Sequence, residues 1–382
     1  MRPGTFIVAR SNLRERSEPH FVIAAFVDTW RARLTPAKLA RMALGLCIGA
    51  VGGFIAQHFH VPLAWMLGPL FFCMAASLAG LPAEVPLWMR AQFMLLIGLF
   101  LGESFDGLAA EDILRWPVSI AGAVLYMPVA TALAFLYYRY AVRENPMTAL
   151  CSSIPGGLTA VVLISSSLGA DERNVALAQS LRIAFVVCMA PVVAFGLMGY
   201  AQPPEGAYDA PNLISLPDLL LLLAVSFTMI WALRNTGIPI LGMVCPLIAS
   251  AVLRLTGQIE GVLPHWLVEV GLLVLGASVG GRFIGVPVAR LVRFGALTFG
   301  GTAVLMGVAA GFAFAVSAIT GQSLIGLLLA YAPGGVAEMS LIAFAIDANP
   351  GFVAVHHLVR ILFVMLMVPL MAMWFARERA TP

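Results

Sequence analysis

The strongest constraint on the fold is a stretch that the sequence contains twice. The first copy passes through Ile154-Pro155-Gly156-Gly157 and the second through Ala332-Pro333-Gly334-Gly335. Aligned without a gap at a shift of 333 − 155 = 178 residues, the copies share, among other positions, Pro155/Pro333, Gly156/Gly334, Gly157/Gly335, Ala170/Ala348, Val175/Val353, Arg182/Arg360 and Pro191/Pro369. Chance does not produce such a match, so the chain is an internal duplication.

Each Pro-Gly-Gly triplet interrupts an apolar stretch. Proline removes a helical hydrogen bond and glycine adds backbone freedom, so the helix is expected to unwind there. Unwound backbone at membrane depth persists where protein or a water-filled cavity satisfies it. Paired interruptions at matching positions of two halves are typical of a transporter's binding site. The alternative is a structural kink with no ligand.

The composition places the chain in a membrane. Hydrophobic residues make up 61% of it and charged residues 11%, against roughly 25% charged residues in soluble domains. Apolar stretches of about 20 residues, the length that crosses a bilayer, follow one another. We predict an all-α polytopic protein with six segments per half, at 39–59, 63–81, 88–105, 116–138, 147–169 and 175–200, then at 216–233, 240–255, 263–283, 291–319, 323–346 and 352–375.

Charge distribution decides between two topologies. If every segment crossed, the acidic linker at 203–209 would be cytoplasmic and the basic loop at 282–293 external, against the positive-inside tendency. If each Pro-Gly-Gly segment is re-entrant, each half crosses five times and both conflicts disappear. An odd number of crossings inverts the second repeat relative to the first. We therefore predict two inverted repeats, each with about five transmembrane helices and a broken, re-entrant segment.

The same charges divide the chain into five parts. The first 38 residues are rich in arginine and are expected to form a basic cytoplasmic tail, with no cleavable signal pattern. The expected order is a tail at 1–38, a first membrane repeat at 39–200, an external linker at 201–215, a second membrane repeat at 216–376 and a cytoplasmic tail at 377–382. Both termini are then cytoplasmic, and the location is the inner (plasma) membrane of a bacterial cell.

Several motifs resemble those of the membrane AbrB family, also called AbrB-duplication membrane proteins. They are VPLAWMLGPL at 61–70, IPGGL at 154–158, APGGVAEM at 332–339 and HHLVR at 356–360, and the resemblance covers 39–375. It implies a distant similarity to inverted-repeat transporters of the sodium/proton antiporter and bile-acid symporter kind. The family name implies regulation of gene expression, and some members carry an ammonia monooxygenase label. Glutamate is frequent at the position of Ala160, so this chain departs from the pattern there.

Charged groups at membrane depth cost about 2.5 to 3.5 kcal/mol each on insertion scales, so each needs a reason. Glu338 follows the second triplet, and it could form an ion pair with Arg360 or carry protons. The histidines could form a packing pair or a proton relay, and the arginines could bind broken-segment carbonyls or an anionic substrate. The candidate substrate-binding residues are Pro155, Gly156, Gly157, Thr159, Arg182, Pro333, Gly334, Gly335, Glu338, His356, His357 and Arg360.

These observations favour a secondary transporter for an unidentified small solute. The bilayer and the solute are the expected partners, while proton coupling and homo-oligomer formation stay open. We expect no nucleic-acid partner, no enzyme activity, no metal and no cofactor, because no nucleophile, ligand set or phosphate-binding loop is present in the sequence. The alternative is a membrane-embedded regulator or sensor that affects gene expression through its basic tail.

Overall fold

The computed structural model describes most of the chain and is helical almost throughout. Its described residues are 35–83, 85–106, 114–156, 158–166, 168–199, 212–236, 241–346 and 348–380. Within those ranges the extended structure is a single isolated bridge between Leu213 and Val262. Residues 1–34 of the tail predicted at 1–38, most of the linker and Gly157 lie outside the described residues.

Within the described ranges, fourteen α-helices follow the predicted segments in order, seven in each half. The first half contains α1 (Pro36–His58), α2 (Ala64–Leu78), α3 (Leu87–Glu103), α4 (Trp116–Leu136, extended by a π-helical turn, Tyr137–Ala141), α5 (Pro146–Ser153), α6 (Leu158–Ser165) and α7 (Glu172–Pro191, extended by a π-helical turn, Val192–Leu197). The second contains α8 (Leu216–Leu233), α9 (Leu241–Leu255), α10 (His265–Gly280, extended by a 3-10 turn, Gly281–Phe283), α11 (Val288–Thr320), α12 (Leu324–Tyr331), α13 (Val336–Ala345) and α14 (Pro350–Ala380). The predicted all-α fold is confirmed.

The chain is a multi-pass membrane protein. In the described part, seven helices are long and apolar enough to cross a bilayer: α1, α4, α7, α8, α10, α11 and α14. The shorter apolar helices of the described part are α2, residues 92–103 of α3, α9 and α13. With α2, α3 and α9 counted, five described helices per half lie outside the Pro-Gly-Gly segments, which is the number of crossings that the charge pattern predicts.

Each Pro-Gly-Gly segment is a hairpin of two short helices. Hairpin 1 is α5 and α6, and hairpin 2 is α12 and α13. In hairpin 1, Thr148 contacts Asp171, and the carbonyl of Cys151 contacts Gln179. The residue numbers of the contacting pairs increase together along both helices, so α5 runs parallel to α7. Because α6 connects the end of α5 to the start of α7, it must run back to the side from which α5 entered.

Hairpin 2 has the same form. The Leu329 carbonyl contacts His357, and the Ala332 carbonyl contacts Arg360. The numbers again rise together, so α12 runs parallel to α14 and α13 returns. Both predicted re-entrant segments are therefore confirmed.

The hairpins enter from opposite ends of the bundle. Helices α4 and α11 pack against each other in opposite directions, since Tyr137 at the end of α4 donates to the Leu297 carbonyl near the start of α11. Hairpin 1 starts a few residues beyond that end of α4. Hairpin 2 starts at the other end, where Gln322 contacts the Arg115 carbonyl. The second repeat is thus inverted relative to the first.

The helices separate into two bundles. The first three helices of each half, α1 to α3 and α8 to α10, form a scaffold bundle, and the remaining helices form a hairpin bundle. In the scaffold bundle, a Cβ on Gly98 would overlap the Met243 backbone, and a Cβ on Gly276 would overlap the Met66 backbone. Met66 and Met243 are themselves equivalent positions, so the two glycine contacts are the same contact repeated. These glycines therefore allow the backbones of neighbouring helices to pack closely.

Candidate functional site

An arginine on α7 contacts the broken backbone of hairpin 1. Nη1 of Arg182 donates to the Ile154 carbonyl at 2.6 Å, and Nη2 donates to Oε1 of Gln179 at 2.7 Å. Nε2 of Gln179 donates to the carbonyls of Cys151 at 2.8 Å and Ile154 at 3.3 Å. These carbonyls end α5 and have lost their helical partners, so the pair acts as a side-chain cap at membrane depth.

An equivalent arginine on α14 contacts hairpin 2. Nη1 of Arg360 donates to the Ala332 carbonyl, and Nη2 donates to the Gly334 carbonyl. Nη2 also donates to Nδ1 of His357 at 2.8 Å, and Nε2 of His357 lies 2.9 Å from the Leu329 carbonyl. A guanidinium only donates and a carbonyl only accepts, which fixes His357 as a neutral imidazole protonated at Nε2.

The Arg182–Gln179 pair and the Arg360–His357 pair cap their hairpins in the same way, with one residue type changed. Gln179 and His357 are equivalent positions, and their carbonyl partners Cys151 and Leu329 are equivalent as well. Each side chain accepts from its arginine and donates to the end of a short helix. The contacts support the carbonyl-binding interpretation of both arginines.

The two hairpin tips meet in the interior. Gly156 has φ of +126°, a conformation that side chains with a Cβ rarely adopt. A Cβ built there would lie 3.5 Å from Nε of Arg360, which belongs to the other repeat. Pro155, Pro333 and Gly334 are buried at the same place. Gly157 and the side chain of Thr159 lie outside the described residues.

The charge at the tips is positive. Arg182 and Arg360 are each 3% exposed, and the Nε of each has no hydrogen-bond partner in the described structure. No carboxylate forms a described salt bridge with either guanidinium, and the two cations repel each other electrostatically. The hydroxyl of buried Tyr126 has no described partner and interacts electrostatically with both.

Glu338 lies away from Arg360. Its Oε1 is 3.4 Å from Nη2 of Arg90 on α3, so this ion pair links hairpin 2 to the scaffold bundle. Arg282 interacts electrostatically with the same carboxylate. Of the two roles considered for Glu338, the ion pair with Arg360 is not formed, because that guanidinium is bound to carbonyls and α13 presents Glu338 to α3 instead.

His356 faces a third group of residues. Its Nδ1 lies 2.7 Å from the Phe352 carbonyl and its Nε2 lies 2.9 Å from Oγ of Ser119 on α4. Tyr331 at the end of α12 donates to the Ser119 carbonyl at 2.7 Å. These bonds join α4, α12 and α14, and the two adjacent histidines therefore contact different groups.

Comparison with known proteins agrees with the motifs. A family described as "Transition state regulatory protein AbrB" matches residues 19–116 and 65–376. The chain belongs to the AbrB family. "Uncharacterized protein YhjN" of Bacillus subtilis (strain 168) is 26% identical over 350 residues, which cover 85% of this chain and 90% of the relative. "Putative regulator AbrB" of Escherichia coli (strain K12) is 26% identical over 325 residues, which cover 84% and 91%.

In this AbrB-family chain the structure adds residues that the motifs do not contain. Gln179 could have been found from the sequence, because it occupies the position of His357 in the other repeat. Arg90, Ser119 and Tyr126 gave no such signal, since they lie singly in apolar helices. Their roles depend on packing between elements far apart in the chain.

Proposed function

We propose that this AbrB-family protein is a secondary transporter for a small solute. The observation that carries the proposal is the meeting of two broken hairpins that enter from opposite ends of one helical bundle. Broken helices at the interface of inverted repeats expose backbone groups and helix ends that can bind a solute near the membrane midplane. The proposed binding residues are those at the hairpin tips, where Arg182 and Arg360 stabilise the broken backbone through hydrogen bonds to its carbonyls.

The division into two bundles supports a mechanism of alternating access. One bundle contains both hairpins, and the other packs through close glycine contacts that favour a rigid body. Movement of one bundle against the other would open the tips first to one side and then to the other. The Arg90–Glu338 ion pair crosses between the bundles and would have to adjust during this movement.

We further propose that Glu338 is the site of any proton coupling. It is 2% exposed and its Oε1 lies 3.4 Å from Nη2 of Arg90, so protonation would weaken its attachment to the scaffold bundle. His357 is a poorer candidate because its Nδ1 accepts a hydrogen bond from Arg360 and its Nε2 donates one to the Leu329 carbonyl. The proposal also includes no enzymatic activity, a location in the bacterial inner membrane and cytoplasmic termini.

The test begins with purified protein. Metabolites are screened for thermal stabilisation, and those that bind are tested for uptake into proteoliposomes under a proton gradient. Gly335→Leu is the variant, because even a Cβ at Gly335 would collide with the Glu338 carboxylate. Gly307→Leu is the control, since Gly307 on α11 has open space around it. Uptake should be lost in the first and kept in the second; equal uptake in both would contradict a site at the tips.

Topology gives a separate test. Single cysteines in a cysteine-free background should react from outside in the 203–209 linker and from inside at Arg290. External labelling at Arg290, with the linker protected, would refute the proposed orientation.

The names of the family and of the Escherichia coli relative favour a second candidate, a membrane regulator. In that case occupancy of the same tips would alter a cytoplasmic partner through the basic tail. Deletion of residues 1–35 separates the two, because transport should survive it and signalling should not.

A further inference from the structure

An apolar cavity of about 580 Å³ lies beside hairpin 1. Its walls come from α4, from α5 and from the middle of α14, and Thr131 is the one polar side chain among the described lining residues. Ala132 and Pro146 at its mouth are exposed on the flank of the bundle, whereas Ile154 and Pro155 at its far end are buried. The volume is within the range of about 300 to 1,000 Å³ for sites that bind small organic molecules.

The buried end of the cavity reaches the hairpin tips. Ile154 lines it, and the carbonyl of this residue is bound by Arg182 at 2.6 Å. Val364 also lines it, and a Cβ at Gly156 would be 3.9 Å from Cγ2 of Val364 and 3.5 Å from Nε of Arg360. Arg360 and Val364 are one helical turn apart. The apolar wall therefore continues directly to a buried guanidinium whose Nε has no described partner.

The charge at this end selects the sign of a ligand. Two buried guanidiniums repel each other there, and their described partners are carbonyls, an amide and a neutral imidazole. An uncompensated cation in a medium of low dielectric constant costs several kcal/mol, and a nearby anion offsets that cost. A cationic ligand would raise this free-energy cost, and an uncharged ligand would leave it unchanged.

We propose that the solute is an amphipathic organic anion, with a carboxylate or similar oxyanion at Nε of Arg360 and an apolar chain in the cavity. This inference rests on the proposed transport function and adds the substrate class. A membrane lipid that carries an acyl chain and an anionic group has the same chemistry. The experiment therefore has to separate a soluble substrate from a resident lipid.

Octanesulfonate is a suitable probe because it stays ionised and does not cross a bilayer as its neutral acid. Thermal stabilisation of the reconstituted full chain is compared among octanesulfonate, octyltrimethylammonium and methanesulfonate. The first should bind at least tenfold more tightly than the other two. Equal stabilisation by the octyl cation would overturn the anionic site, and equal stabilisation by methanesulfonate would overturn the role of the cavity.

Ala132→Phe tests the cavity without touching the arginines. The added ring would occupy the mouth, so octanesulfonate affinity should fall at least tenfold. Ala303→Phe is the matched control, because Ala303 is an exposed alanine on α11 in the other repeat. Equal affinities of the two variants would overturn the inference.

Counterflow in proteoliposomes distinguishes a soluble substrate from a resident lipid. It also distinguishes failure of the anionic-substrate inference from failure of the proposed transport function. Exchange of labelled octanesulfonate for unlabelled octanesulfonate supports a soluble substrate. Binding without exchange, with a phospholipid retained by the wild type and lost from Ala132→Phe, would show a lipid site and overturn the substrate assignment. If another solute is transported in a Gly335-dependent way while octanesulfonate neither binds nor exchanges, the inference fails and the transport function stands.

Discussion

The two hairpins have the same construction and differ in how their ends are held. In hairpin 1 the Ile154 carbonyl receives hydrogen bonds from both Arg182 and Gln179. In hairpin 2 the guanidinium of Arg360 donates hydrogen bonds to the carbonyls of Ala332 and Gly334, and His357 donates to the Leu329 carbonyl. An arginine and a carbonyl 28 positions before it are common to both repeats, while the neutral partner varies and the bond from Arg360 to the Gly334 carbonyl has no described counterpart in hairpin 1. The fold therefore depends on donors at the end of a broken helix, and the chemical identity of the second donor is secondary.

The largest expected effect is an unequal response to loss of the two arginines. In Arg360→Met, the carbonyls of Ala332 and Gly334 lose their described side-chain donor, at about 1–3 kcal/mol per orphaned group. In Arg182→Met, the Ile154 carbonyl keeps Gln179, so the cost should be smaller by at least one such group. Unfolding titrations in mixed micelles measure both. Arg290→Met is the control, since exposed Arg290 bonds to Asn174 at the surface. Equal losses for Arg182 and Arg360 would remove the distinction between the hairpins.

The scaffold bundle should respond equally in its two halves. Gly98→Ala and Gly276→Ala each force a Cβ against a carbonyl of the equivalent methionine, and overpacking of this kind costs about 1–3 kcal/mol. Gly271→Ala is the control, because a Cβ there would meet side chains at 3.8 Å or more. Unfolding titrations of the three variants are the measurement. A marked difference between the first two would mean that the repeats are not packed symmetrically.

Glu338 tests the asymmetry between the repeats, since Ala160 holds the equivalent position. Glu338→Gln keeps an oxygen for Arg90 and removes the charge, so the loss of stability should be about 1 kcal/mol, the difference between charged and neutral hydrogen bonds. If the proposed coupling is correct, the variant should lose proton-driven accumulation in proteoliposomes and keep exchange. Unchanged accumulation would make Glu338 a structural residue.

The smallest expected effect is that of His357→Gln. The amide can accept from Arg360 and donate to Leu329, as Gln179 does in its own repeat, so stability should change by less than about 1 kcal/mol. The pH profile of uptake should also be unchanged. His357→Leu is the contrasting variant, which leaves Nη2 of Arg360 and the Leu329 carbonyl short of a partner. A flattened pH profile in His357→Gln would instead show that the imidazole takes part in proton transfer.

Much of this architecture could be predicted from the sequence because it depends on periodic features. The apolar segments, the duplicated Pro-Gly-Gly breaks and the basic loops indicate the helices, the hairpins and the inversion of the repeats. The hydrogen bonds of Arg182 and Arg360 follow from the same alignment, since each carbonyl lies 28 positions before its arginine.

The contacts between distant elements could not be predicted in this way. The partner of Glu338 depends on which face α13 turns toward α3, and no motif records that. The cavity is bounded by α4, α5 and α14. Its apolar lining residues cannot be distinguished in the sequence from apolar residues of other membrane helices. Residues 1–34 of the tail, most of the linker and Gly157 lie outside the described structure, so the predictions made for them stay predictions.

The opposed hairpins have a consequence for the membrane potential. The short helices of 8 to 10 residues extend about 12 to 15 Å each, so water that entered beside each hairpin as far as its tip would leave only a thin layer between the two sides. Most of the voltage across the bilayer would then fall over that layer. An ion carried through it exchanges about 2.3 kcal/mol per 100 mV with the field. Transport of a monoanion without a compensating cation would therefore be electrogenic, and its rate would follow the voltage in either direction.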